Sequence, residues 1–157
     1  MVEQLEVDER WKVLVVGNNP IELGLVFDRL QGIARKRVIT EMAFDLQSAL
    51  KRLVTFRPQH ILIDDNVGTT MMKAMVKELL KMSAREVPIT VLKNSNYHES
   101  IAAGVMNYVL KQNLNSELLY RELLNSIHFL KTSLSWQRAR KKRRGMLRSF
   151  FQSTNQI

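Results

Sequence analysis

Val13, Leu14, Val15 and Val16, and again Ile61, Leu62 and Ile63, are short unbroken apolar runs rich in β-branched residues. Turn formers close each run: Gly17, Asn18, Asn19 and Pro20 after the first, Asn66 and Gly68 after the second. Runs of this length with such boundaries are buried strands rather than pieces of helix. Behind each of them the apolar positions recur at helical spacing, over residues 21–30 and over residues 71–82, where Met71, Met75, Leu79 and Met82 mark the face expected to be buried. The alternation continues along the chain. It predicts strand one over Trp11–Val16, strand two over 37–42, helix two over 45–56, strand three over His60–Asp64, strand four over 88–92, a short helix four over 98–103 and strand five over Asn107–Leu110. Helix five starts behind Asn115 or Ser116 as N-cap, has Glu117 in its first turn, and runs through Leu134 or beyond.

Strands alternating with helices build a parallel sheet covered on both faces. In such sheets chemistry gathers at the carboxyl ends of the strands, near the switch in strand order. Gly17, Asn18 and Asp64 all fall there. A chain of 157 residues with 45% hydrophobic content suits one compact domain with a small remainder. The absence of cysteine excludes disulfides and thiolate metal sites. His60, His98 and His128 have no ligand spacing, so no metal centre is expected from them. Neither a Gly-rich phosphate loop nor a nucleophile elbow occurs, and the chain is read as non-enzymatic. No apolar run reaches membrane-span length and the first residues are acidic rather than signal-like, so a cytoplasmic location is expected.

Several of these features occur together in one known family. Pro20 opens helix one after a loop, Pro58 lies two turns before an aspartate that ends strand three, and Pro88 leads into Ile89, Thr90, Val91 and Leu92. Around strand five the chain reads Gly104, Val105, Met106, Asn107, Tyr108, Val109, Leu110, Lys111. Over residues 11–131 the sequence resembles the receiver domain of bacterial response regulators. The resemblance implies a flavodoxin-like, doubly wound α/β fold with a five-stranded parallel sheet of order 2-1-3-4-5. It also divides the chain into an N-terminal extension (1–10), a receiver-like domain (11–131) and a helical extension with a basic tail (132–157).

By the same resemblance Asp64 matches the phosphoacceptor aspartate, Lys111 the lysine that contacts the phosphoryl group, and Tyr108 the aromatic switch residue. Two other positions depart from the pattern. Gly17 and Asn18 stand where active receivers carry the acidic pair that holds magnesium, and Lys93 stands at the small hydroxyl position after strand four. Magnesium prefers hard anionic oxygens in octahedral geometry, and phosphoryl transfer needs charge neutralised at the acceptor. With Asp64 as the one well-placed carboxylate unless Asp65 or another acid swings in, no cofactor is expected beyond weakly held Mg²⁺. Lys93 is expected to reach the pocket beside Lys111, two ammonium groups replacing the metal electrostatically. The interval from Lys93 to Gly104 is about four residues, one helical turn, shorter than the receiver pattern, which makes helix four a stub.

Charge adds a second feature. Residues 138–157 hold seven of the 24 basic side chains and no acid, while residues 1–137 hold 17 basic and 15 acidic groups; the formal net charge of +9 is largely the tail. Upstream, Leu123, Ile127, Leu130 and Leu134 continue an apolar seam toward Trp136; its first half is expected to pack on the sheet, and Leu134 and Trp136 suit pairing with a protein partner or a second copy of the chain. The cluster Arg138, Arg140, Lys141, Lys142, Arg143, Arg144 and Arg148 suits nucleic-acid phosphates or an anionic membrane, with Met146, Leu147, Phe150 and Phe151 as apolar anchors. The plain alternative is a solvated tail, and Gly145 is expected to interrupt the helix. The functional expectation is a non-enzymatic signalling module of two-component type. It is a pseudo-receiver with impaired Mg-dependent phosphorylation, partnered by a histidine kinase, a downstream signalling protein or itself. Two alternatives stand beside it: a working phosphoacceptor modified on Asp64, and docking of nucleic acid or membrane through the tail.

Overall fold

The computed structural model describes residues 10–82, 87–94, 105 and 107–154, and their side chains except at 130, 131, 133–135, 137 and 147–154. Strands β1 (Trp11–Val16), β2 (Val38–Ala43), β3 (His60–Asp64), β4 (Ile89–Lys93) and β5 (Asn107–Leu110) form one sheet of order β2-β1-β3-β4-β5. Every neighbouring pair is parallel. The described helices are α1 (Pro20–Gln31), α2 (Leu46–Thr55), α3 (Thr69–Met82) and α4 (Ser116–Thr154). The predicted fifth helix is therefore α4, and the predicted fourth, over 98–103, lies outside the described residues.

Period-two alternation along β1 divides the core into two layers. Val13 and Val15 face one side with Leu23, Val26 and Leu30 of α1 and Leu119 and Leu123 of α4. Leu14 and Val16 face the other with Ala49 and Leu53 of α2 and Met72, Met75, Val76 and Leu79 of α3. The buried stripe of α3 is thus 72-75-76-79, and the expectation for its face needs correcting: Met71 and Met82 are about half exposed. With methionines at 71, 72, 75 and 82 two adjacent stripes are nearly equally apolar in sequence. The sheet accepts the one that centres on Val76.

Local signals fix where the loops leave the sheet. Asn19 accepts hydrogen bonds from the backbone N–H of Ile21 and Glu22, with Pro20 as the first residue of α1. Asp45 and Ser48 form a reciprocal capping box on α2. Asn115 caps α4 by accepting from Leu118 N–H at 2.8 Å, and Ser116 donates to the Arg29 carbonyl at 2.7 Å, tying the start of α4 to the end of α1.

Beyond Ile127 the described side chains of α4 are exposed. Its 39 residues span about 58 Å. The helix passes through Gly145, contrary to the expected interruption. A single glycine costs about 1 kcal/mol relative to alanine, and the Arg, Lys, Met and Leu around it are good helix formers with no proline among them. The Leu134 side chain, assigned to the seam from sequence, lies outside the described ones.

His60 is a buried polar group in the middle of the sheet. Its Nε2 lies 2.9 Å from Thr90 Oγ1, and burial pulls the imidazole down from its ordinary value to about 3. The unfolded chain therefore binds a proton near pH 6.5 that the folded chain refuses, so stability is complete above that pH and declines as pH falls toward 3. Urea unfolding at pH 7.5 and 5.0 is expected to show a loss of about 2 kcal/mol from this residue. His60→Gln, which keeps a hydrogen-bonding group for Thr90, is expected to lose less by that amount.

Candidate functional site

Register brings the candidate residues to one edge. Val16 pairs with Ile63 and Asp64 with Leu92, so Gly17 leaves the sheet beside Asp64. Asp64 is 1% exposed. Its Oδ1 accepts from the Asn66 N–H at 2.9 Å, capping the 3-10 turn over Asp65–Val67, and from Lys111 Nζ at 2.6 Å. Lys111 begins the turn that follows β5. The same ammonium lies 3.0 Å from Glu22 Oε2 and 3.9 Å from Asp65 Oδ1. One cation therefore faces three carboxylates, supplied by α1, the end of β3 and the turn behind it.

Asparagines frame this cluster. Asn66 donates its side-chain amide to Glu22, and Asn18 donates to the Asn66 carbonyl at 3.1 Å. Asn94 donates its backbone N–H to Asp65 Oδ2 at 3.1 Å and its amide to Asn66 Oδ1 at 2.6 Å. Asp64 Oδ2 and Asp65 Oδ1 are buried and accept no hydrogen bond. Burial pushes the Asp64 carboxyl up from its ordinary value, against the pull of Lys111 and the Asn66 N–H. Burial acts to lower Lys111, but its hydrogen bonds to Asp64 and Glu22 outweigh that and hold the ammonium above its ordinary value. The carboxylate is the costly partner to bury, and the lysine is what makes it tolerable.

The sequence-predicted residues separate into two groups. Asp64, Lys111, Gly17 and Asn18 meet at this edge. Lys93 ends β4 with its Nζ 5.0 Å from the Tyr108 ring centroid, a cation–π contact. Tyr108 is partly exposed on β5. Trp136, Arg138, Arg140, Lys141, Lys142, Arg143 and Arg144 lie on the exposed distal part of α4. Glu22, Asn66 and Asn94 were not anticipated; an acid in the first turn behind the Gly17 loop is the signal that points to Glu22.

Magnesium does not fit these residues as they are arranged. The acid missing at Gly17 could not simply be restored, because a Cβ there would lie 2.8 Å from Leu23 Cδ2 and 3.0 Å from Asp64 Cβ. Asn18 turns a donor toward the site, and the Lys111 ammonium stands among the carboxylates that a divalent ion would need. Among the described residues no group of three or more His, Cys, Asp or Glu is arranged to hold a metal ion.

No protein-family model and no curated protein sequence matches the chain. Solved structures do. The chemotaxis protein CheY4 of Vibrio cholerae superposes with a TM-score of 0.62 at 25% identity, over 74% of this chain and 98% of its own. The chain has the receiver-domain fold. The N-terminal domain of a response regulator/sensory box/GGDEF protein from Carboxydothermus hydrogenoformans gives 0.63 at 15% identity, over 78% and 98%. The receiver domain of a Pseudomonas aeruginosa sensor histidine kinase, with a magnesium ion coordinated in its active-site cleft, gives 0.62 at 19% identity, over 75% and 98%. Within the receiver fold the Glu22–Asp64–Asp65 cluster around Lys111 lies at the carboxyl edge of the sheet, where that fold places chemistry.

Removing one partner of a buried ion pair typically costs 3–5 kcal/mol, because the other charge is left uncompensated. Lys111→Met is expected to destabilise the fold by about 3 kcal/mol. The double variant Asp64→Asn, Lys111→Met is expected to lose clearly less than the two single losses combined, by urea denaturation. Gly17→Asp is expected to cost about 1–3 kcal/mol through overpacking against Leu23.

Proposed function

We propose that this chain is a non-enzymatic signalling module of the bacterial two-component type, a pseudo-receiver whose acceptor site is held closed by its own lysine. The observation that carries the reading is Lys111 Nζ at 2.6 Å from Asp64 and 3.0 Å from Glu22. A carboxylate attacks phosphorus productively when a cation neutralises the incoming phosphoryl oxygens and orients the donor. Here the available cation is engaged by carboxylates of the chain itself, and magnesium binds weakly at most. Such a module works by presenting a fixed surface to a protein partner, a histidine kinase or a downstream signalling protein. A second copy of the chain is a further partner, through the distal part of α4 that exposes Trp136.

One observation favours the competing reading, a working phosphoacceptor. Asp64 Oδ2, though buried, accepts no hydrogen bond, so its lone pairs are not committed to another group of the chain. In that case the oxygen attacks the phosphorus of acetyl phosphate, the P–O bond to the acetyl group breaks and acetate leaves. Amide NMR with millimolar Mg²⁺ and beryllofluoride separates the two readings. The expected result is no saturable shift around Asp64 and Lys111, and no mass gain after incubation with acetyl phosphate and Mg²⁺. Shifts that saturate only when both reagents are present would replace the pseudo-receiver with a switch.

A further inference from the structure

The distal part of α4 carries a charge pattern that the receiver site does not use. Glu122 is the last acidic residue of the chain; the 35 residues behind it hold eight Lys and Arg. Six of these cations, Arg138, Arg140, Lys141, Lys142, Arg143 and Arg144, are exposed on α4. Five of them are consecutive. At about 100° per residue, five consecutive side chains point in directions that ring the whole helix, so the positive charge has no single face. Arg138 with Lys142, and Arg140 with Arg144, stand at the i,i+4 spacing where like charges repel. No acid of the same segment relieves them.

We infer that this segment of α4 is a docking element for duplex nucleic acid, held by phosphates and without sequence preference. The ring of charge decides between polyanions. A helix lying on an anionic membrane presents one side, and cations on the opposite side contribute little. The major groove of a duplex admits an α-helix between two phosphate ridges, so cations on opposite flanks are both engaged. Contacts to phosphates position a protein without reading bases. The inference is independent of the state of Asp64, because no residue of the acceptor site takes part.

The test uses the full chain with a labelled 20-base-pair duplex, in fluorescence anisotropy against salt. With about six phosphates engaged, affinity is expected to fall roughly a thousandfold between 50 and 200 mM salt. Two unrelated duplex sequences are expected to bind equally. The triple variant Arg140→Gln, Arg143→Gln, Arg144→Gln changes exposed side chains only, and is expected to lose about half of the log–log salt slope. Circular dichroism of the wild type is expected to show unchanged or increased helicity on binding. The inference is overturned by absence of duplex binding at 50 mM salt, by a salt slope that the triple variant leaves unchanged, or by tighter binding to phosphatidylserine vesicles than to the duplex.

Discussion

The carboxylate of Asp64 is buried at the end of a central strand, and much of the edge of the sheet is arranged around that fact. An isolated buried carboxylate is strongly unfavourable, so the chain must bring it a cation or leave it protonated. Lys111 is brought by the turn behind β5, across β4 from Asp64 in the sheet order. Glu22 and Asp65 then share the same ammonium, and Asn18, Asn66 and Asn94 take up the donors and acceptors around it. The pair is weak evidence for stability, since buried ion pairs often do little better than well-packed apolar groups. What it does arrange is the edge: the residues that follow β1, β3, β4 and β5 and the start of α1 are tied to one another there.

Gly17 shows how a glycine at the sheet edge is built into the packing. Leu23 of α1 fills the space that a side chain at position 17 would need, and Leu23 is fully buried. An acid at that position would have to displace a core leucine, so the change is steric as well as electrostatic. Glu22, the residue before Leu23, turns its carboxylate to Lys111 while Leu23 turns into the core. The first turn of α1 therefore serves both the packing of the sheet and the charge balance of the site.

Much of the fold is legible in the sequence because its strands are bounded by strong signals. β1, β3 and β5 end where the apolar runs meet Gly17, Asp64 and Lys111. The face of α3 is less legible, because methionines on two adjacent stripes give the pattern no sharp centre. The path of α4 through Gly145 is illegible for a different reason: one glycine is a small penalty against a long run of good helix formers. In the site, Asp64 and Lys111 are visible as single residues in a family pattern. Glu22 is signalled only by its place in the first turn of α1, and Asn66 and Asn94 are not visible at all, because their roles depend on loop geometry at the sheet edge rather than on spacing along the chain. The contact of Lys93 with Tyr108 follows from the pairing of β4 with β5 and is not visible in spacing along the chain.

Lys111 Nζ stands among the carboxylates of Glu22, Asp64 and Asp65, and the proposed closed site requires that this ammonium keep a divalent ion out. Manganese is a direct probe, since a bound paramagnetic ion broadens nearby amide signals. Titrating wild type and Lys111→Met with Mn²⁺ to millimolar concentration compares the cluster with and without its ammonium. The expected result is no selective broadening at Glu22, Asp64 and Asp65 in the wild type, and saturable broadening at the same residues in Lys111→Met. Selective, saturable broadening in the wild type at micromolar Mn²⁺ would show that the cluster still holds a divalent ion, and would contradict the closed-site reading.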